Sequence, residues 1–363
     1  MKTAVIVGSG FAGIAAAKVL AKRFDLVRVI EGDIPAQSFH LHVLLQAGQE
    51  ALERIFPGIK ERLSKAGCPE IDWSLDTQWE NHDGEFPRYA SSVRALSMSR
   101  LLLARTMRCM ITENNVEFIK GKVSYLSQLQ GDLIVIAGGQ NLPLDRFLQL
   151  DVPSEKQEIN LTYRSYVFFR NDLNLNETGQ YYYQIDPSVN RMGGVISPIE
   201  DGKIIVTLIE YEHEYSECRE LSDFLRKARE IPSDNFIKII GSAVPCAGPY
   251  FFRKKDIHRR LLPCLPSNVV VLGDAVMSLN PVFGQGMTVA LQQVELLQKN
   301  ISTDEFQDEC RLLGNLPYQL SRYGSQDKGL GKELLKGYLK LCQSYKFFHH
   351  LFLKQLHTLK VFP

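Results

Sequence analysis

The β-branched run Thr3–Val7 breaks directly into Gly8-Ser9-Gly10-Phe11-Ala12-Gly13, and Ile14–Lys22, rich in alanine and other helix formers, follows. An uninterrupted apolar run of this kind reads as a strand buried on both faces, as in the parallel sheet of an α/β protein. Gly8 permits a tight turn out of the strand, Gly10 lets backbone approach a pyrophosphate, and Gly13 lets the helix lie close on the strand. The helix start then offers free N–H groups and a positive dipole end to phosphates, so Gly8, Gly10, Phe11, Ala12 and Gly13 are candidate cofactor residues. A second apolar strand, Leu26–Ile30, ends in Glu31-Gly32. A carboxylate there accepts hydrogen bonds from adenosine ribose hydroxyls and repels a 2′-phosphate, which favours FAD or NAD over NADP at this site.

A second glycine-rich segment selects the flavin. Asn268–Leu272 is another buried-type strand, and it runs into Gly273-Asp274-Ala275 and then Asn280-Pro281-Val282-Phe283-Gly284-Gln285-Gly286-Met287. The helix expected next can bury Met287, Ala290, Leu291, Val294 and Leu297 on one face. Asp274 is placed to accept from ribityl hydroxyls. The glycines around Gln285 bare N–H groups at a helix start, where negative charge on a reduced isoalloxazine ring is stabilised.

The early GxGxxG with Glu31, taken with Gly273-Asp274 and Pro281-x-x-Gly284-Gln285-Gly286, resembles the FAD signatures of the p-hydroxybenzoate hydroxylase-type flavoprotein monooxygenases. Gln37-x-x-His40-Leu41-His42, Gly48, Leu52–Gly58, Ser99-Arg100 and Tyr318-Gln319-Leu320-Ser321…Asp327 are similar to the branch containing bacterial polyether olefin epoxidases. The resemblance implies a glutathione-reductase-type, Rossmann-like FAD domain interleaved with an antiparallel-sheet substrate domain. It implies FAD with adenosine near Gly8–Gly13, Glu31 and Gly32, ribityl near Asp274, and its ring over Pro281–Met287, with Arg100 contacting the cofactor. The chemistry implied is insertion of one oxygen atom from O2 into a lipophilic substrate through a C4a-hydroperoxyflavin, with NADPH or NADH, or a separate flavin reductase, as electron source.

Such chemistry is carried by the cofactor, so few obligatory catalytic side chains are expected. His40, His42 and Pro281 are the candidates. Alternate residues of an extended segment share a side, so both imidazoles can face one pocket and orient substrate or relay a proton, or one of them is a buried structural histidine bonded to backbone. Tyr181 and Tyr183 share a strand face and either line a pocket or pack in the core. Where relatives carry an Asp-containing segment, this chain has Ala137-Gly138-Gly139-Gln140-Asn141, which leaves nicotinamide use open. A flavin-dependent reductase or dehydrogenase of an isoprenoid, or a non-redox cyclase or carrier-docking protein built on FAD, remains an alternative. Trp73 and Trp79 do not form the WxWxIP pattern of flavin halogenases.

Between the motifs, Arg100–Thr112 reads as a helix, Val116–Ile119 and Asp132–Ala137 as strands, and Ser222–Glu230 as a helix. Tyr163–Arg170, Gln180–Ile185, Gly194–Ser197 and Lys203–Glu210 alternate with turn signals at Asn176, Pro187 and Asp201-Gly202, as in an antiparallel sheet. Residues 243–250 read as a Pro/Gly-punctuated stretch. The expected division is 1–72, 96–160 and 262–310 for the FAD domain, 73–95 and 161–261 for the substrate domain, and 311–363 for a C-terminal helical region. From Gly331 onward the chain holds six Lys against one Glu among many aromatics and leucines. That tail packs its apolar face on the protein, or it meets an anionic membrane surface or an acyl carrier.

The balance of 42 Lys and Arg against 41 Asp and Glu argues against a nucleic-acid partner. No apolar run reaches the roughly 18 residues of a membrane-spanning helix, and the run Ala4–Val7 is too short for a secretory signal. Seven widely spaced cysteines without a CxxC fit reduced thiols, hence a cytoplasmic setting and no metal site.

Overall fold

A computed structural model describes residues 1–32, 40–175, 179–212, 220–299, 301–326 and 328–359; Gln37, Asn176, Cys218, Asp327 and residues 360–363 lie outside them. Thr3–Val7 is the central strand of a five-stranded parallel sheet, in the order Val269–Val271, Leu133–Ile136, Thr3–Val7, Leu26–Glu31, Val116–Lys120. Ala4 and Ile6 enter the core beneath the helices Phe11–Leu20 and Gly286–Leu296, while Val7 enters a core with Phe147 and Tyr318. Burial on both faces is the reason this strand shows no polar alternation. The strand at Val269 sits one place removed from Thr3–Val7, so the late glycine motif leaves the same edge of the sheet as the early one.

The intervening chain builds an eight-stranded sheet in the order Met277–Ser278, Ala247–Arg260, Ser154–Phe169, Lys203–Tyr211, Met192–Pro198, Gln180–Tyr183, Thr77–Asn81, Gly84–Glu85. It is antiparallel except where Gln180–Tyr183 runs parallel to Thr77–Asn81. One face, with Tyr166, Phe168, Tyr181, Tyr183 and Val206, packs on helices Leu221–Ala228 and Asp234–Ile240. A small sheet of Leu41–Leu45, Arg94–Ser99 and Glu70–Asp72 lies beside helix Gln46–Ile55. Helices Thr303–Gly324, Leu330–Ser344 and Lys346–Leu356 follow. No described helix is long and apolar enough to cross a membrane.

Three segments run on where local composition suggests a break. Residues 247–250 open a strand, Ala247–Arg260, that pairs along Ser154–Phe169; a register shift between Ser165 and Val167 accommodates the irregular start. The division at 160/161 falls inside Ser154–Phe169, and that at 310/311 inside Thr303–Gly324. Met277–Ser278, expected in the FAD domain, joins the other sheet by pairing with His258 and Arg259. In each case cross-strand pairing or helix continuity holds residues that local composition does not mark.

Candidate cofactor and substrate site

The two glycine motifs converge. Gly8 N donates to Ile30 O at 3.0 Å, Ala137 N to Val7 O at 2.9 Å and Leu272 N to Ile136 O at 3.0 Å, which ties the strand ends together. Gly8 has φ of +107°, and a Cβ there would stand 2.5 Å from Ala137 O. A Cβ on Gly13 would stand 1.9 Å from Gly8 O, so the first helix lies directly on the turn. Gly10 is the opposite case: nothing lies within 4 Å of its Cβ position. The same is true of Gly286 at the start of the second helix and of Gly139 between them. A Cβ on Gly273 would come within 3.4 Å of Ala12 Cβ, which measures how closely the late motif approaches the early one.

Glu31 stands at the end of its strand and is paired with Arg108, 2.7 Å away, a partner the sequence did not announce. Gly32 is exposed, and Phe11 is buried in the core, so only its backbone is available to a ligand. Ser99 caps the helix Arg100–Cys109, accepting from Leu102 N at 3.2 Å, and that cap places Arg100 at the first helical turn. Burial presses Arg100 below its ordinary value, and Asp274 pulls the other way, which puts guanidinium and carboxylate in one electrostatic neighbourhood.

The two histidines have separate partners. His42 Nδ1 lies 2.7 Å from the His40 carbonyl. A carbonyl only accepts, so Nδ1 carries the proton and Nε2 keeps its lone pair. Burial, followed by the positive charge of Arg100, lowers His42 to about 3. His40 is 3% exposed; its Nδ1 meets Ser165 Oγ at 2.8 Å, which meets Thr207 Oγ1 at 2.7 Å. Tyr163 and Phe252 flank the ring, with centroids 6.1 and 5.9 Å away. Burial, opposed by the Phe251 carbonyl, lowers His40 to about 4. Both rings are neutral near pH 7.

The loop expected under the ring is braced from three directions. Asn280 Oδ1 caps the turn Pro281–Phe283 by accepting from Val282 N at 3.0 Å, while its Nδ2 donates to Tyr211 Oη and Ser325 Oγ, each at 2.7 Å. Its backbone N–H donates to Ser321 Oγ at 3.1 Å, which gives the Tyr318–Ser321 block a concrete task. Pro281, Gly284, Gly286 and Met287 are half-buried. The Gln285 side chain points elsewhere: it is buried, and its Nε2 donates to the Leu356 carbonyl at 3.0 Å. Gly48 permits helix Gln46–Ile55 to press on this region, since a Cβ there would stand 2.5 Å from Thr288 Oγ1.

Tyr181 and Tyr183 face the outer helices and not the cleft; Tyr181 donates to the buried Glu80. Tyr182, on the opposite face, joins Trp73, Trp79, Phe86, Val43, Val195 and Phe283 in an apolar wall that the C-terminal helices cover with Leu339, Phe352, Leu353 and Leu356. A narrow cavity beside Val282 and Phe283 is lined by Gln184, Tyr211, Leu335 and Leu339, with the buried Lys332–Asp186 pair at 2.8 Å on its rim. A larger groove, about 740 Å³, also borders Tyr211, but Glu155, Lys156, Glu158, Arg191, Glu212 and Arg322 give it a charged lining unsuited to a lipophilic molecule. Among the described residues no cluster of His, Cys, Asp and Glu is arranged to hold a metal.

Over 96–98% of its length the chain superposes on two solved flavoprotein or oxygenase structures. One is the flavin-dependent brominase Bmp2, at TM-score 0.70 and 17% identity, covering 98% of this chain and 92% of that one. The other is 2-methyl-3-hydroxypyridine-5-carboxylic acid oxygenase, at TM-score 0.66 and 14% identity, covering 96% and 94%. The chain shares the fold of these two proteins. Within that fold, residues 257–325 match the family model for squalene epoxidase, a segment that contains Gly273-Asp274 and Pro281–Met287. Protein Rv3254 of Mycobacterium tuberculosis (strain ATCC 25618 / H37Rv) is 26% identical over 383 aligned positions, covering 88% of this chain and 76% of that protein.

Proposed function

We propose that the chain is an FAD-dependent monooxygenase that epoxidises or hydroxylates a lipophilic substrate of the secondary-metabolite kind. The observation that carries this is the convergence of the two glycine motifs, with open space beside Gly10, Gly139 and Gly286. The residues fit FAD: Gly8–Gly13 receive the pyrophosphate, Glu31 the adenosine ribose, Asp274 the ribityl chain, and Pro281–Met287 border the ring. FAD, when bound and reduced, supplies the electrons that activate O2. The overall balance is substrate, O2, NAD(P)H and a proton giving oxygenated substrate, water and NAD(P)⁺. The epoxidase match over the flavin motifs supports olefin epoxidation.

The protein's own part is position and dryness. Trp79, Tyr182, Val195 and Phe283 with the C-terminal helices exclude water from the ring loop. His42 Nε2 accepts a hydrogen bond from a donor in the cleft, and neutral His40 aligns a polar substrate atom. Purified protein should be yellow, and anaerobic titration with NADPH and with NADH should bleach the flavin with at least one of them. Asp274→Ala should lower FAD retention about tenfold or more, as expected for loss of hydrogen bonds to a charged group. A colourless protein that cannot be reconstituted with FAD defeats the reading; bleaching by neither nucleotide instead assigns electron supply to a separate flavin reductase.

The tail supports a second, finer part of this reading. Its inner face is packed, but Leu330, Leu334, Leu341, Tyr345 and Phe347 are exposed beside Lys336, Lys340 and Lys346. Apolar side chains ringed by lysines fit an anionic membrane surface, from which a lipophilic substrate is available. The protein should co-sediment with phosphatidylglycerol-containing vesicles and not with pure phosphatidylcholine, and Leu334→Asp with Phe347→Asp should abolish it. Wild-type indifference to both vesicles removes the membrane role. The free cysteines, six among the described residues, support a cytoplasmic setting for that surface.

A further inference from the structure

Lys254 is 4% exposed, yet it forms no ion pair among the described residues. Its Nζ donates to Gln140 Oε1 and Ser278 Oγ, each at 2.5 Å, and both acceptors are neutral. Ser278 also donates to Gln140 Oε1 at 2.9 Å, closing the triangle. An ammonium buried against neutral oxygens alone is costly, because water solvates it better than two dipoles do.

The position of that charge is specific. Gln140 follows the Gly138-Gly139 turn at the end of Leu133–Ile136, and Ser278 lies between Asp274 and Pro281. Arg260 clamps the same loops together, donating to Ala275 O at 2.5 Å, Leu142 O at 2.9 Å and Gln140 O at 3.2 Å. Asp274 is the first carboxylate felt by Lys254, and Arg100 feels it too. Asp256, the next, is already paired with Lys156 and His258, at 3.1 and 3.2 Å. Lys254 is therefore buried where these loops meet, and no carboxylate of the described residues is held against its Nζ.

We propose that Lys254 is the counter-charge for the negative charge of bound FAD, a cofactor contact that neither glycine motif contains. This deepens the FAD reading and rests on it. The negative charge has two sources: the pyrophosphate, present in every redox state, and the isoalloxazine ring, charged only once reduced.

The test uses Lys254→Met and Lys254→Arg in the full chain, with FAD titrated into apoprotein over a salt series and the flavin midpoint potential measured on reconstituted protein. If the pyrophosphate is the partner, K254M binds oxidised FAD about tenfold to a hundredfold more weakly, with a shallower salt dependence. If the reduced ring is the partner, affinity for oxidised FAD is retained and the midpoint potential falls. In either case K254R restores the wild-type values, and apo K254M melts no lower than wild type because a costly buried charge has gone. Wild-type affinity and potential in K254M overturn the proposal, as does a lower apo melting temperature that K254R fails to restore. Should K254M not fold, Lys254→Gln keeps a polar head beside Gln140 and Ser278 without the charge and is read the same way. Failure of the wild type to take up FAD defeats the parent reading instead.

Discussion

Replacing Gly13 with alanine is expected to cost the protein its FAD together with part of its stability. The added Cβ would stand 1.9 Å from Gly8 O and 3.0 Å from Gly8 C, both backbone atoms that cannot rotate away. The helix Phe11–Leu20 must then lift from the turn, and its N–H groups leave the place where the two motifs converge. Overpacking of this kind costs about 1–3 kcal/mol. Gly10→Ala is the control. Its Cβ meets nothing within 4 Å, so the fold should melt as wild type does, while the methyl occupies space the pyrophosphate needs. Thermal melts of the apoproteins and FAD titrations of both variants separate the two effects. Wild-type FAD affinity in Gly13→Ala would show that the first helix start does not hold the cofactor.

Arg164→Met should be the most destabilising single change in the second sheet. Arg164 Nη1 donates to Glu210 Oε2 at 2.7 Å, and Nη2 donates to Glu212. Lys227 reaches Glu210 at 2.8 Å, and Thr162 donates to Glu212 at 3.2 Å. The Arg164 and Glu212 side chains are 1% and 2% exposed. Removing one member of a buried pair strands the other, at about 3–5 kcal/mol. Burial already holds Glu212 above the ordinary carboxylate value, with Glu210 adding to the shift and Arg164 opposing it. Without the arginine it rises further, so the protonated form is the one the core tolerates. The variant is then least impaired at low pH and loses stability as pH climbs through that raised value. Urea midpoints at about pH 5, near the ordinary carboxylate range, and at about pH 8, well above it, should show the larger deficit at the higher pH. An unchanged midpoint at both would mean that the cluster is stabilised some other way.

The parallel sheet and its glycine-rich edge were legible because they are written in short-range code. Thr3–Val7, the glycines, Leu26–Glu31 and Asn268–Asp274 each specify local backbone, and their order along the chain restricts how they assemble. Ser99-Arg100 was readable for the same reason: a cap fixes where a helix begins. The strand Ala247–Arg260 was not, since Gly248 and Pro249 locally oppose a strand that pairing with Ser154–Phe169 imposes. His40 and His42 show the limit of the two-residue rule. His42 lies within the strand Leu41–Leu45, but His40 precedes it, and the two imidazoles settle against different partners. Lys254 carried no signal at all, because nothing in Arg253-Lys254-Lys255 distinguishes the buried lysine from a solvated one.

By itself the sequence determined a parallel α/β core, a glycine turn at the end of its first strand, and the return of the chain to that edge through Gly273-Asp274. Only the tertiary structure decided which groups meet there: Glu31 with Arg108, Asp274 in the field of both Arg100 and Lys254, and Asn280 locked to Tyr211, Ser321 and Ser325. The physical reason is range. Turns, caps and strand patterns depend on residues a few positions apart, whereas an ion pair or a buried lysine depends on segments far removed along the chain, as Glu31 is from Arg108 across 77 positions.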